Sequence, residues 1–187
     1  MRLLIVDNYD SFTYNLFHYV NQFVDDVIVV KNDHVDLSQI RQFDKIILSP
    51  GPGLPSEHEN LFKIIEYSLT KSVLGVCLGH QAIAEYFGAR LLNLENVNHG
   101  ISTEISIVES DNIFNSIPQK INVGLYHSWF VDKEKLPRDL IITSVNEKGN
   151  IYSLKHSKLD IRGVQFHPES IMTENGLKMI ENWIKLN

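Results

Sequence analysis

The chain carries one cysteine, Cys77, in the run Gly75-Val76-Cys77-Leu78-Gly79. A lone cysteine is most often a small buried hydrophobe. A residue of nucleophilic type between two glycines, after a short apolar run and before a helical pattern, is instead the pattern of a nucleophile elbow. The glycines permit a turn so tight that a nearby Cβ would clash. Such a turn projects the nucleophile from the C-terminal edge of a sheet, where open α/β sheets hold their ligands. It also sets the sulfur near the N-terminus of the next helix, whose positive dipole end favours a thiolate. An unassisted thiol is only a few per cent thiolate at neutral pH, so the chemistry also requires a base.

Thiolate attack on a carbonyl creates an oxyanion, which needs preorganised N–H donors. The elbow offers the N–H of Leu78. A second donor must come from another loop, and "LSPGPGLP" (48–55) follows a strand-like run at the same sheet edge. Pro50 and Pro52 have no N–H, so only Gly51 and Gly53 remain as donors in that stretch. A Pro-Gly pair taken alone is an ordinary turn signal.

Eight histidines compete for the role of base. His80 shares a helix with Cys77, which points it along the helix rather than at the sulfur. His18, His34, His58 and His156 lie in polar or amphipathic surroundings, and His99 and His127 sit in small polar contexts suited to a pocket wall. His167 ends the strand-like run "GVQF" and precedes Pro168 and Glu169. Pro168 biases His167 toward an extended conformation. Residues i and i+2 then share a side, so Glu169 can fix the imidazole tautomer and leave the other nitrogen for Cys77. One cysteine and scattered histidines give no zinc-ligand spacing, so no metal is expected.

The elements that must position these groups alternate in the first half. Residues 2–6, 26–31, 44–49 and 72–77 read as buried strands, and 11–23, 57–69 and 81–87 as helices, the first capped by Asp10 or Ser11. This order predicts an α/β fold, an open, mostly parallel twisted sheet with helices on both faces. In the second half, 102–109 and 121–128 alternate like antiparallel strands, 140–156 reads as a hairpin around "NEKGN", 161–166 as a strand and 174–186 as a closing helix. A small antiparallel part is therefore expected there.

The chain has 187 residues, 43% hydrophobic and 21% charged, with a formal net charge of −6. That length and composition suit one domain over 1–187. An acidic balance without a Lys/Arg cluster argues against nucleic acid as a partner. A single cysteine permits no internal disulfide. No apolar stretch approaches the ~20 residues needed to span a bilayer, and the N-terminal run is too short for a signal peptide. A cytoplasmic protein that does not engage a membrane is expected.

"GVCLGHQ", "SPGPG" and "VQFHPES", in this sequence over essentially its whole length, resemble the class I (triad-type) glutamine amidotransferases, whose fold is flavodoxin-like. The resemblance implies a catalytic triad of Cys77, His167 and Glu169. It implies glutamine contacts and an oxyanion-hole amide from Gly51 and Gly53, and the other amide from Leu78. Gln81, four residues after Cys77 and so on the same helix face, would contact the substrate. Ser128 and Trp129 would bind the backbone end of glutamine. "VDNYDSFTYNL" (6–16) further resembles the amidotransferase subunits of anthranilate synthase and of 4-amino-4-deoxychorismate synthase. That likeness implies ammonia delivery to a separate chorismate-using synthase subunit in a heteromer. No cofactor is implied in this subunit, and Mg²⁺ is expected in the partner. The expected product is anthranilate, with the folate-pathway subunit, or one subunit shared by both, as the alternative. One departure stands out: Ile101 occupies the place after His-Gly where this group often has lysine.

Two other readings compete. A stand-alone cysteine hydrolase of γ-glutamyl compounds would need no partner. A flavodoxin-like signalling receiver or flavin carrier would need an acidic cluster or a phosphate loop after the first strand, where Asn8 and Tyr9 stand.

Overall fold

The apolar runs of the first half divide their side chains between two cores. In β1 (Arg2–Asp7), Leu3 and Ile5 face one way and Leu4 and Val6 the other, all buried. The same division runs through β3 (Lys45–Leu48) and β4 (Ser72–Val76). Strands covered on both faces have no solvent side, which is why they read as continuous apolar runs. The computed structural model describes residues 1–186, with side chains at all of these except 95–98.

One core is closed by α1 (Thr13–Val20) and α4 (Gly176–Lys185), through Leu16, Val20, Met179, Ile180 and Trp183. The other is closed by α2 (Leu61–Tyr67) and α3 (Leu78–Tyr86), through Leu61, Ile64, Ile65, Ala82 and Ile83. Helices thus cover both faces of the sheet, as the alternating pattern predicts.

With β2 (Asp26–Lys31), β5 (Leu91–Ile107), β6 (Lys120–Val131), β7 (Leu140–Asn146), β8 (Ile151–His156) and β9 (Ile161–Val164), the nine strands among the described residues form one sheet in the order β2-β1-β3-β4-β9-β8-β7-β5-β6. The pairs from β2 to β9 are parallel and those from β9 to β6 antiparallel. The C-terminal ends of β1, β3, β4 and β9 therefore share one edge. Asn8, Ser49, Cys77 and Gln165 emerge there.

Several boundaries differ from the sequence pattern. β5 begins at Leu91 rather than near residue 102, and it pairs with β6 as far as Leu91 opposite Val131. The early part has no clean alternation because its register breaks after Asn93 and again between His99 and Ile101. Gly100, at φ +66°, occupies the second break. α2 starts late because Pro55–Glu57 first forms a 3-10 turn. Neither Asp10 nor Ser11 is the N-cap of α1, which is Phe12. The Asp10 carboxylate still accepts the Phe12 N–H at 2.8 Å, and Asp7 accepts from the Tyr9 N–H and the Thr13 hydroxyl, both at 2.9 Å. Those bonds fasten the loop between β1 and α1. Among the described residues, no helix is long and apolar enough to cross a membrane.

Candidate active site

Cys77 stands between β4 and α3 with φ 51° and ψ −101°, a conformation that costs a non-glycine residue about 1–3 kcal/mol. The two glycines explain how it is held. A Cβ on Gly75 would run into the carbonyl of Gly79, and one on Gly79 into the carbonyl of Leu48 in β3. The elbow can press onto the neighbouring strand only without side chains at those positions. The Cys77 N–H donates to Val164 O at 2.8 Å, tying the elbow to β9 as well. α3 starts at the next residue, so the sulfur faces a helix N-terminus. The N–H of Leu78, at the first helical position, has no intrahelical acceptor.

His167 and Glu169 lie within the same buried region, 1% and 4% exposed. His167 Nδ1–H donates to Glu169 Oε1 at 2.8 Å, the i, i+2 contact that Pro168 favours. The Thr173 hydroxyl donates to the His167 carbonyl at 2.6 Å and fixes the backbone there. His167 Nε2 has no hydrogen-bond partner in the resting geometry, although Cys77 is close enough to act on it electrostatically. Catalytic hydrogen bonds in unliganded sites are often long or poorly aligned. Burial opposes charge on this ring. The adjacent sulfur and carboxylate outweigh it and push the imidazole well above its ordinary range. Burial likewise pushes the Glu169 carboxyl up, and the imidazole opposes that shift. The contact between them thus offsets part of what burial costs each group. Two rings wall it in: Phe12 and Tyr126 approach His167 edge-on, with centroids 5.3 and 4.8 Å away.

The loop after β3 is held by a second network. Asn8 donates its N–H to Ser49 Oγ at 2.9 Å and its amide to Ser49 O at 2.8 Å. His58 Nε2–H donates to Pro52 O at 2.9 Å, which leaves Nδ1 to accept from Asn32 at 2.8 Å. Asn32 donates in turn to Asn8 Oδ1 at 3.1 Å. Gly51 lies against Asn8 and the Leu78 side chain, too close for a Cβ. Among the described residues, neither Gly51 nor Gly53 gives its N–H to a backbone carbonyl.

Gly51, Pro52, Gly53, Cys77, Gln81, Tyr126, His127, Ser128 and Trp129 line one cavity of about 220 Å³. Its size suits a single amino acid rather than a nucleotide or a peptide. A larger groove of about 450 Å³ near Thr103 and Tyr152 has no cysteine or histidine in its wall. Gln81 donates to Trp129 O at 2.8 Å and to Gln165 Oε1 at 3.1 Å. Gln165 in turn donates to Cys77 Sγ at 3.6 Å. His127 Nδ1–H donates to Trp129 O at 2.8 Å. Burial, reinforced by the charge on His167, lowers His127 to about 4, so its ring is neutral at pH 7. His80 is fully buried against Gly163 with neither ring nitrogen in a well-aligned hydrogen bond, and burial lowers it to about 3.

The structure therefore brings together every site residue that the sequence singles out. Six of them line the cavity, Leu78 packs against the loop that carries Gly51, and His167 with Glu169 stands behind Cys77. It adds Asn8, Asn32 and His58 beneath the proline-glycine loop, Phe12 and Tyr126 around His167, and Gln165 at the sulfur. Asn32 carries no signal in the sequence because its partners, Asn8 and His58, are 24 and 26 residues away, and the same distance hides its contact with His58. Gln165 lies inside the run "VQFHPES", where an apolar strand pattern invited no polar role. Ile101 is 44% exposed and lies outside this cavity. Among the described residues, no group of three or more His, Cys, Asp or Glu is placed to hold a metal ion.

Comparison with known proteins agrees with this geometry. Residues 4–186 match the family described as glutamine amidotransferase class-I. Anthranilate synthase component 2 of Lactococcus lactis is 43% identical over 97% of this chain and 93% of its own length. Aminodeoxychorismate synthase component 2 of Klebsiella aerogenes is 39% identical over 97% and 98%. A Bacillus subtilis relative that bears both names, aminodeoxychorismate/anthranilate synthase component 2, is 38% identical over 98% and 95%. Among solved structures, a Thermoplasma acidophilum protein described as one of the subunits of GMP synthase superposes with a TM-score of 0.88 at 28% identity, covering 98% of this chain and 92% of that one. The chain belongs to the class I glutamine amidotransferases.

Proposed function

We propose that this chain hydrolyses glutamine to glutamate through Cys77, His167 and Glu169 and hands the ammonia to a separate synthase subunit that uses chorismate. The observation that carries the reading is a nucleophile at a strained elbow, beside a buried imidazole–carboxylate pair, opening on an amino-acid-sized cavity. His167 takes the thiol proton, and the thiolate attacks the side-chain carbonyl carbon of glutamine. The N–H groups of Leu78 and of Gly51 or Gly53 receive the oxyanion, each donor worth about 10²–10³ in rate. Collapse breaks the C–N bond, and the proton on His167 leaves with ammonia. Water then cleaves the glutamyl thioester. Ser128 and Trp129 hold the backbone end of the substrate, and Gln81 contacts it from the helix side of the cavity. The steps in this chain use side chains and backbone amides, and Mg²⁺ belongs to the partner's chorismate chemistry.

Release into water would protonate ammonia and destroy its nucleophilicity, so direct transfer to a bound synthase is favoured. The likeness to component 2 proteins supports such a partner. We read the product as anthranilate, on the resemblance across the second half of the chain and on the Lactococcus relative. The Klebsiella and Bacillus relatives favour a second reading, in which the chain serves aminodeoxychorismate synthase or both enzymes. The test is Cys77→Ala in the complex with the synthase. Glutamate release and glutamine-dependent synthesis are lost, while synthesis fed with ammonium salt persists. Retention of glutaminase activity would overturn the role of Cys77, and loss of both syntheses the division of labour. Direct anthranilate fluorescence selects the first product, and 4-aminobenzoate formed only after adding a lyase selects the second.

A further inference from the structure

An amide donor reaches the sulfur of Cys77 in the resting site. Gln165 Nε2 lies 3.6 Å from Cys77 Sγ, and the Gln165 side chain is fully buried. Its orientation follows from groups further along. The carbonyl of Trp129 can only accept, so Gln81 must turn its NH₂ toward it, at 2.8 Å. That same NH₂ lies 3.1 Å from Gln165, which must therefore present oxygen there. The NH₂ of Gln165 is left for the sulfur. The backbone agrees: Gln165 N–H is anchored on Tyr152 O at 2.8 Å, and the preceding carbonyl, Val164 O, accepts the Cys77 N–H at 2.8 Å. Nucleophile and amide are thus fastened to one another by main chain as well.

We infer that Gln165 is a further catalytic residue of this site, whose amide N–H stabilises the thiolate of Cys77, and that Gln81 and Trp129 O hold it in donor orientation. The inference rests on Cys77 being the nucleophile. The other charged and titratable groups around the sulfur are His167 from the loop after β9, Glu169 behind it, and Tyr126 and His127 from β6, with His80 on α3 beyond. His167 has to give its proton to the departing ammonia, so it cannot serve as the sulfur's permanent donor. A neutral amide has no proton to lose. It acts whenever negative charge sits on sulfur, once the thiol proton has passed to His167 and again when water expels sulfur from the thioester. A hydrogen bond to a charged group is stronger than one to a neutral thioester, so the contact favours both of those states.

Because Cys77 is the only cysteine, iodoacetamide alkylation of the intact chain reports on one sulfur. Gln165→Met and Gln165→Leu keep the volume and remove the donor. In variants shown to be folded by circular dichroism, alkylation at neutral pH slows by about tenfold to a hundredfold, with its pH profile displaced to higher pH. The kcat for glutamine falls with it while KM stays within about threefold. A folded variant that keeps the wild-type alkylation profile overturns the inference. Should neither variant fold, the unsubstituted protein decides: the Gln165 side-chain amide protons shift in NMR as Cys77 ionises and stay still in Cys77→Ala. An amide signal insensitive to Cys77 ionisation overturns it equally. If the amidotransferase reading were at fault instead, the unsubstituted chain would release no glutamate, and the alkylation contrast would still be seen.

Discussion

At the scale of single residues, function here depends on charges kept out of water. Glu169 is buried and its only use is to receive His167 Nδ1–H. Glu169→Gln keeps the shape, removes the charge and allows the wrong imidazole tautomer. We expect kcat for glutamine hydrolysis to fall by about 10²–10⁴ with KM little changed, measured by glutamate release. An unchanged kcat would remove Glu169 from the account. The residues of the proposed triad stand out in the sequence because their pattern is local: glycines around Cys77, and Pro168 between His167 and Glu169. Gln165, Asn8 and Asn32 do not, since each acts on atoms that only the fold brings near.

At the scale of elements, α3 and β9 are locked together by a buried histidine. His80 projects from α3 onto Gly163 of β9, where a Cβ would collide with its ring. Burial lowers His80 from 6.5 to about 3 and His127 on β6 from 6.5 to about 4. Between those values and 6.5 the unfolded chain binds protons that the folded chain refuses, so stability is full above pH 6.5 and declines as pH falls. Each histidine removes about 2 kcal/mol between pH 7 and pH 5. His167 is shifted the opposite way, from 6.5 up to about 10, so its contribution is fully present below 6.5 and is lost progressively as pH rises from there to about 10. Urea unfolding at pH 7 and pH 5 should show the decline, and His80→Gln should remove about half of it. A pH-independent midpoint would contradict the buried neutral assignment. The core strands and the helices α1 to α4 were legible from apolar spacing. The part of β5 before residue 102 was not, because two register breaks disrupt the period of two and pairing with β6 supplies the stabilisation instead.

At the scale of the whole molecule, the sheet gathers the ends of β1, β3, β4 and β9 at one edge, and that edge also carries an unusual apolar residue. Ile171, two positions after Glu169, is fully exposed. On the proposed division of labour, a synthase docked at this edge would meet that side chain, so a substitution there tests the contact. Ile171→Asp should weaken co-purification with the synthase and lower glutamine-dependent synthesis, while leaving the thermal midpoint of the isolated chain within the range usual for surface substitutions, about ±0.5 kcal/mol. Undiminished association would place the interface elsewhere. The α/β architecture was readable from element order alone, whereas the identity of the product was not. On the proposed division of labour the partner binds chorismate, so the residues that choose anthranilate over aminodeoxychorismate would lie outside this chain.

The central claim is that glutamine is opened by covalent attack from Cys77. Its most direct test is to quench the turning-over enzyme with acid and read the peptide that carries Cys77 by mass spectrometry. A glutamyl group on that sulfur, present with glutamine and absent in Cys77→Ala, is the predicted result. Continued glutamate release with Cys77 unmodified in the intact enzyme, and equal release from Cys77→Ala, would contradict the account.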